Sequence, residues 1–220
     1  MKVARQRSFE FRTWGGRRAG AGRKLQAENP CIPHRPRTDV RPSQPVHVTL
    51  RMADHVWNLR SQRSFAVIHR ALAALRRRSD VRVAHFSIQG NHMHLIVETR
   101  GERALANGVR ALSIRIARGL NAMMDRRGPV FEDRYHAHVL RTPAEVQNAI
   151  RYVLGNFASH AARRGERVGA AWVDPFSSEA GSEPRSAQPS LWPEKVTAAA
   201  GTWLLRTAAS KVGVGKCDGS

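Results

Sequence analysis

Two short stretches carry residue types able to act on a phosphate ester. In the first, Asn91-His92-Met93-His94-Leu95-Ile96-Val97-Glu98, the aliphatic and β-branched residues after Gly90 predict a β-strand. Strand side chains alternate faces, so His92, His94, Ile96 and Glu98 share one face and Met93, Leu95 and Val97 the other. The second set is a plain core face. The two imidazoles, roughly 7 Å apart at Cα, can converge on one divalent metal ion. Two surface histidines at a strand start satisfy the same pattern. The second stretch, Arg151-Tyr152-Val153-Leu154-Gly155-Asn156, reads as helix. It sets Tyr152 and Asn156 one turn and roughly 6 Å apart on the same flank, with Asn148 and His160 alongside. When the helix is taken alone, an amphipathic tyrosine at a core boundary is the better account of Tyr152.

Taken together, two imidazoles and an amide oxygen make a three-ligand site with open positions. That donor set suits Mn²⁺ or Mg²⁺ beside phosphate oxygens better than tetrahedral zinc, which wants more nitrogen or sulfur. A metal there would polarise a phosphodiester, and a tyrosine one turn from a ligand is placed to attack its phosphorus. Free phenol is almost wholly protonated at neutral pH, so metal and nearby arginines have to favour the phenolate. A rival constellation exists. His136-Ala137-His138 is a second His-x-His with Tyr135 beside it, the other of two tyrosines in the chain. From spacing alone it equals the first.

The elements that must position these groups follow from periodicity. Val46, Val48 and Leu50 alternate with polar residues in a strand over 46–51. Ile68, Leu72 and Leu75 mark a helix over about 65–78, with Arg76, Arg77 and Arg78 at its dipole-negative end. Val81 to Gln89 reads as a strand, and Gly90-Asn91 turns it into an antiparallel hairpin with the histidine strand. A second helix covers about 104–124 on Leu105, Val109, Leu112, Ile116, Leu120 and Met123. Its Arg110, Arg115 and Arg118 project elsewhere, as a solvated face or a phosphate track. Residues 130–141 are extended. Thr142, Pro143 and Glu145 then cap a third helix to about His160, whose stripe Val146, Ala149, Ile150, Val153, Leu154 and Phe157 faces the core. The order predicts an α+β domain: an antiparallel sheet with helices on one face, on a ferredoxin-like or RRM-like plan with one added helix.

The 220 residues include 37 Lys and Arg against 17 Asp and Glu, a formal charge of +20. Such a field favours polyanions, and nucleic acid ahead of membrane, because no long apolar run offers insertion. Cys31 and Cys217 imply no disulfide framework. The first residues lack the apolar segment of a signal peptide, so a cytoplasmic protein is expected. Residues 1–44, rich in Gly, Arg and Pro, read as a flexible basic arm. Residues 45–165 form the expected catalytic domain. Residues 166–220 form a loop-rich extension, with an amphipathic element around 196–211 anchored by Trp203, Leu204 and Leu205, and with Trp192 and Trp203 set to dock on the core or on a base.

His92-Met93-His94 after Asn91 resembles the histidine–hydrophobe–histidine motif of the HUH endonuclease superfamily. Arg134 to Arg141, followed by Tyr152-Val153-Leu154-Gly155-Asn156, is similar to its single-tyrosine branch, the REP-associated tyrosine transposases, over about residues 45–162. The resemblance favours His92/His94 over His136/His138. It implies His92, His94 and Asn156 as metal ligands for Mg²⁺ or Mn²⁺, Asn156 standing where many relatives carry Gln, one methylene longer. It implies Tyr152 as nucleophile, cleaving one DNA strand into a 5′-phosphotyrosine and a free 3′-OH that a second 3′-OH can reverse. The expected partner is hairpin-bearing single-stranded DNA, touched by Arg110, Arg115, Arg134, His136 and His138, with the site built within one chain or across a homodimer. Two other readings stay open at this point: a nucleic-acid binder without catalysis, and a metal hydrolase acting on a small substrate, which leaves the charge unexplained.

Overall fold

A computed structural model describes residues 39–169, 172–181 and 196–212. The expected arm up to residue 38, both cysteines and Trp192 lie outside the described residues. The elements are β1 (Val46–Arg51), α1 (Gln62–Arg76), β2 (Val81–Ile88), β3 (His92–Thr99), α2 (Glu102–Met123), β4 (His136–Val139), α3 (Pro143–Arg163), a 3₁₀ turn (Ser178–Gly181) and α4 (Trp203–Val212). The four strands lie in the order β2-β3-β1-β4, and each neighbouring pair is antiparallel. This is the α+β ferredoxin-like arrangement, with α3 and α4 added.

Helix starts are set by caps. Ser61 accepts from the Ser64 backbone N–H at 3.1 Å, so α1 begins at Gln62, earlier than its apolar stripe indicates. Thr142 caps α3 as expected, accepting from Glu145 N–H at 3.2 Å. Glu145 in turn accepts from Arg141 N–H at 2.8 Å, a variant of the reciprocal capping box. β4 is shorter than the extended segment that contains it. Val130 and Phe131 still meet the end of β1, through Ala53 N–H to the Val130 carbonyl and a Met52–Phe131 bridge. The chain then leaves the ladder until His136.

Alternation along β1 buries Val46, Val48 and Leu50 and turns His47, Thr49 and Arg51 to the other face. On the first face, Met93, Leu95, Val97 and these three pack with α1 and α2 into the larger core. The expected placement of helices on one face holds for α1 and α2 only. α3 and α4 cover the opposite face in a second core of Ala84, Ile96, Leu140, Val146, Ala149, Ile150, Val153, Leu204, Leu205 and Ala208. Ala84 follows Val83 by plain alternation onto that side. A register shift between Val83 and His85 then returns Phe86 and Ile88 to the larger core, because one extra residue reverses the alternation. β3 is therefore buried on both faces, as a central strand covered by helices on each side should be.

Parts of the C-terminal extension belong to this packing. Ser177 bridges Ser87, the Phe176 carbonyl accepts from Ile88 N–H at 2.9 Å, and Ala198 N–H donates to the Val83 carbonyl at 2.8 Å. The buried Glu98 carboxylate accepts from Arg82 Nη2 at 2.8 Å and from Thr202 N–H at 2.6 Å just ahead of α4, where a helix N-terminus welcomes negative charge. Leu204 and Leu205 are buried anchors, whereas Trp203 is 63% exposed and does not serve as one.

Candidate active site

The second face of the sheet gathers the chemistry. His92 and His94 project from β3 with ring centroids 4.9 Å apart. α3 crosses this face because its stripe Val146, Ala149, Ile150 and Val153 seals onto Ile96 and Ala84. That seating brings Tyr152 to 5.2 Å from His94, ring to ring, and His160 to 6.4 Å from His92. Asn156 lies between Tyr152 and His160 at one-turn intervals along α3 and is 3% exposed. It takes a buried position that the wheel assigned to the flank. Phe157, expected in the core, is pushed outward against Arg60 and Trp172.

Hydrogen bonds orient both imidazoles. His92 Nδ1 stands 2.8 Å from Asn91 Oδ1. A carboxamide oxygen only accepts, so Nδ1 carries the proton and Nε2 keeps its lone pair. His94 Nδ1 lies 3.1 Å from Thr49 Oγ1 and 3.2 Å from His47 Nε2. Either can accept from Nδ1–H in the tautomer that leaves Nε2 bare. Burial pushes the His94 imidazolium down to about 3, helped by repulsion from His47, His92 and His160. His92 is lowered by burial and by His160 and Arg51. Both rings are thus held in the neutral form that ligates metals.

Two buried side-chain atoms here have no hydrogen-bond partner: His94 Nε2 and Asn156 Oδ1. An orphaned buried acceptor is costly, and these two belong to residues singled out for metal binding by their type and spacing. Among the described residues, no group of three or more His, Cys, Asp or Glu side chains is arranged to hold a metal. Two imidazoles with the Asn156 carboxamide as a candidate third donor make a set whose chemistry fits Mg²⁺ or Mn²⁺.

Tyr152 is 54% exposed, so a polymer can reach its hydroxyl. Tyr135 instead packs against the larger core, across the sheet. His136 and His138 pair with Thr49 and His47 and so share the site's face, but at the exposed sheet edge. Arg134 precedes β4 at the same edge. Arg110 and Arg115 are not brought to this face, because α2 packs on the other.

His47 and Thr49 were not singled out by sequence. His47 stands with its ring 5.8 Å from Tyr152 and 5.2 Å from His94. Burial and the neighbouring His138 and His136 push its imidazolium down to about 4. The signal was present: an alternating strand with Val46, Val48 and Leu50 inward must turn His47 and Thr49 toward the same face as the β3 histidines. Which strand sits beside β3 is what periodicity does not say.

The fold and the site together define an antiparallel α+β domain with a paired-histidine strand faced by a tyrosine helix. No family model matches the chain, and no curated protein does. Among solved structures, a REP-associated tyrosine transposase bound to a REP hairpin is similar at a TM-score of 0.54, covering 76% of this chain and 94% of that one at 16% identity. A likeness at that identity shows a shared fold.

Proposed function

We propose that this protein is a metal-dependent DNA strand transferase of the transposase type, acting on hairpin-bearing single strands in the cytoplasm. The observation that carries this reading is the meeting, within one chain, of Tyr152 with the His92/His94 pair beside two orphaned acceptors, His94 Nε2 and Asn156 Oδ1. The shared fold with a transposase solved on a DNA hairpin supports it, as does the +20 charge. No helix among the described residues is long and apolar enough to cross a membrane.

His92, His94 and Asn156 would hold the ion, which when bound supplies charge neutralisation at the scissile phosphate. The Tyr152 oxygen forms a bond to phosphorus while the P–O3′ bond breaks. The phenol loses its proton and the departing oxygen ends as a 3′-OH, so one ester is exchanged for another without water or ATP. Its half-exposed ring, braced edge-on by His47 and His94, can approach a bound phosphate with little reorganisation. Incubating the full chain with Mn²⁺ and a labelled hairpin-bearing strand should yield a covalent adduct on a denaturing gel, removed by chelator. Cleavage without adduct, or adduct indifferent to chelator, overturns the reading.

Asn156→Leu separates ligand from scaffold. Leucine has nearly the same shape and removes an unsatisfied carbonyl, so the metal-free protein should be unchanged or about 1 kcal/mol more stable. Mn²⁺ affinity, measured by calorimetry, should fall at least roughly tenfold, the lower bound for disturbing a metal shell. A destabilised variant with intact Mn²⁺ binding would make Asn156 purely structural.

A further inference from the structure

A second basic feature lies on the opposite face of the sheet. α1 and α2 leave between them a groove of about 800 Å³ lined by Arg63, Arg70, Arg115 and Arg118. All four are exposed, and no Asp or Glu is among the residues lining it. At its floor a Cβ on Gly119 would collide with Val67, so the glycine lets the two helices approach closely beneath the arginines. The Arg63 guanidinium stands 6.0 Å from the centroid of Trp57, which is 51% exposed on the loop between β1 and α1.

That loop is fastened to the turn preceding His92. Leu59 N–H donates to the Gly90 carbonyl at 2.9 Å, and Met52 N–H to the Asn91 carbonyl at 2.8 Å. His55 Nε2 meets the Pro129 carbonyl at 3.0 Å, just beyond the end of α2. Arg51 is paired with His92 in the ladder. The arginine groove, Trp57 and the metal-ligand end of β3 therefore open at one end of the sheet. Four like charges on facing helices repel one another unless an anion lies between them, and an exposed indole beside an arginine is a platform for an unpaired base.

We propose that a single nucleic-acid strand leaving the candidate active site stacks a base on Trp57 and lays its phosphates along the Arg63, Arg70, Arg115 and Arg118 groove. This path deepens the transferase reading and rests on nucleic acid being the substrate. The test measures binding of a long unstructured oligonucleotide and of a duplex to the full chain across a salt series. Arg70→Gln combined with Arg118→Gln should flatten the log–log salt slope by about 1.4, at ~0.7 per single-strand phosphate contact. Arg77→Gln combined with Arg103→Gln removes the same charge at the far ends of these helices and should leave the slope nearly unchanged. Trp57→Ala should weaken single-strand binding roughly tenfold and duplex binding little. Equal slopes in the two double variants, or equal losses on duplex and single strand in Trp57→Ala, would overturn the path. Groove-dependent binding without any Tyr152 adduct would reject the transfer chemistry and leave the path standing.

Discussion

Replacing Tyr152 by phenylalanine is expected to abolish the covalent protein–DNA adduct, with a loss of more than about 10³-fold, because removing a nucleophile removes the bond-forming atom itself. Tyr135→Phe should retain the adduct. The contrast is sharp because the two tyrosines have opposite surroundings. Tyr152 is 54% exposed with its ring beside His47 and His94, whereas Tyr135 packs against the α1/α2 core. The change deletes one oxygen from a half-exposed side chain, so the fold should not suffer. Equal thermal melts for Tyr152→Phe and the unmodified protein, with binding of the hairpin strand preserved, would locate the loss in chemistry. Adduct formation undiminished in Tyr152→Phe would sink the proposed function.

Arg60→Ala is expected to carry the largest stability loss, about 3–5 kcal/mol, the usual consequence of stripping one partner from a buried ion pair. Arg60 donates to both oxygens of Asp174, at 2.9 and 2.8 Å, and to the Ile88 carbonyl at 2.9 Å. Its guanidinium is stacked between Phe157, 3.8 Å from the ring centroid, and Phe176, at 4.6 Å. The Asp174 side chain is only 1% exposed, so alanine leaves a carboxylate buried without its counter-charge. The melting temperature should fall by about 10 °C, at roughly 2–4 °C per kcal/mol for a domain of this size. Arg78→Ala supplies the comparison. Its pair with Asp80 is as short, at 2.7 Å, but the side chains are 37% and 30% exposed, and solvent screening should hold its loss below about 1 kcal/mol. Comparable melts for Arg60→Ala and Arg78→Ala would show that burial of the Arg60 pair contributes nothing. Because Phe157 follows Asn156 directly, the same clamp seats the part of α3 that faces His92 and His94.

Most of the element plan was legible in the chain. β1, β3 and the cap of α3 follow from short-range rules: alternation at Val46, Val48 and Leu50, the hairpin turn at Gly90-Asn91, and Thr142-Pro143 opening a helix. The candidate residues were also visible as types and spacings, since His92/His94 and Tyr152/Asn156 each sit within one strand or one helical turn. Their convergence was not. It depends on α3 crossing the second face of the sheet, where Ile96 and Ala84 offer it an apolar seat.

Choices between equivalent local patterns were left to tertiary structure. His92-x-His94 and His136-x-His138 are alike in sequence. The fold makes β3 central and β4 an edge, so burial holds one pair neutral beneath α3 while the other stays exposed. His47 entered the site because β1 lies between those strands, and Arg115 left it because α2 packs on the other face. Local sequence decides which way a side chain points within its own element. Which elements become neighbours is decided by burying apolar surface across the whole chain.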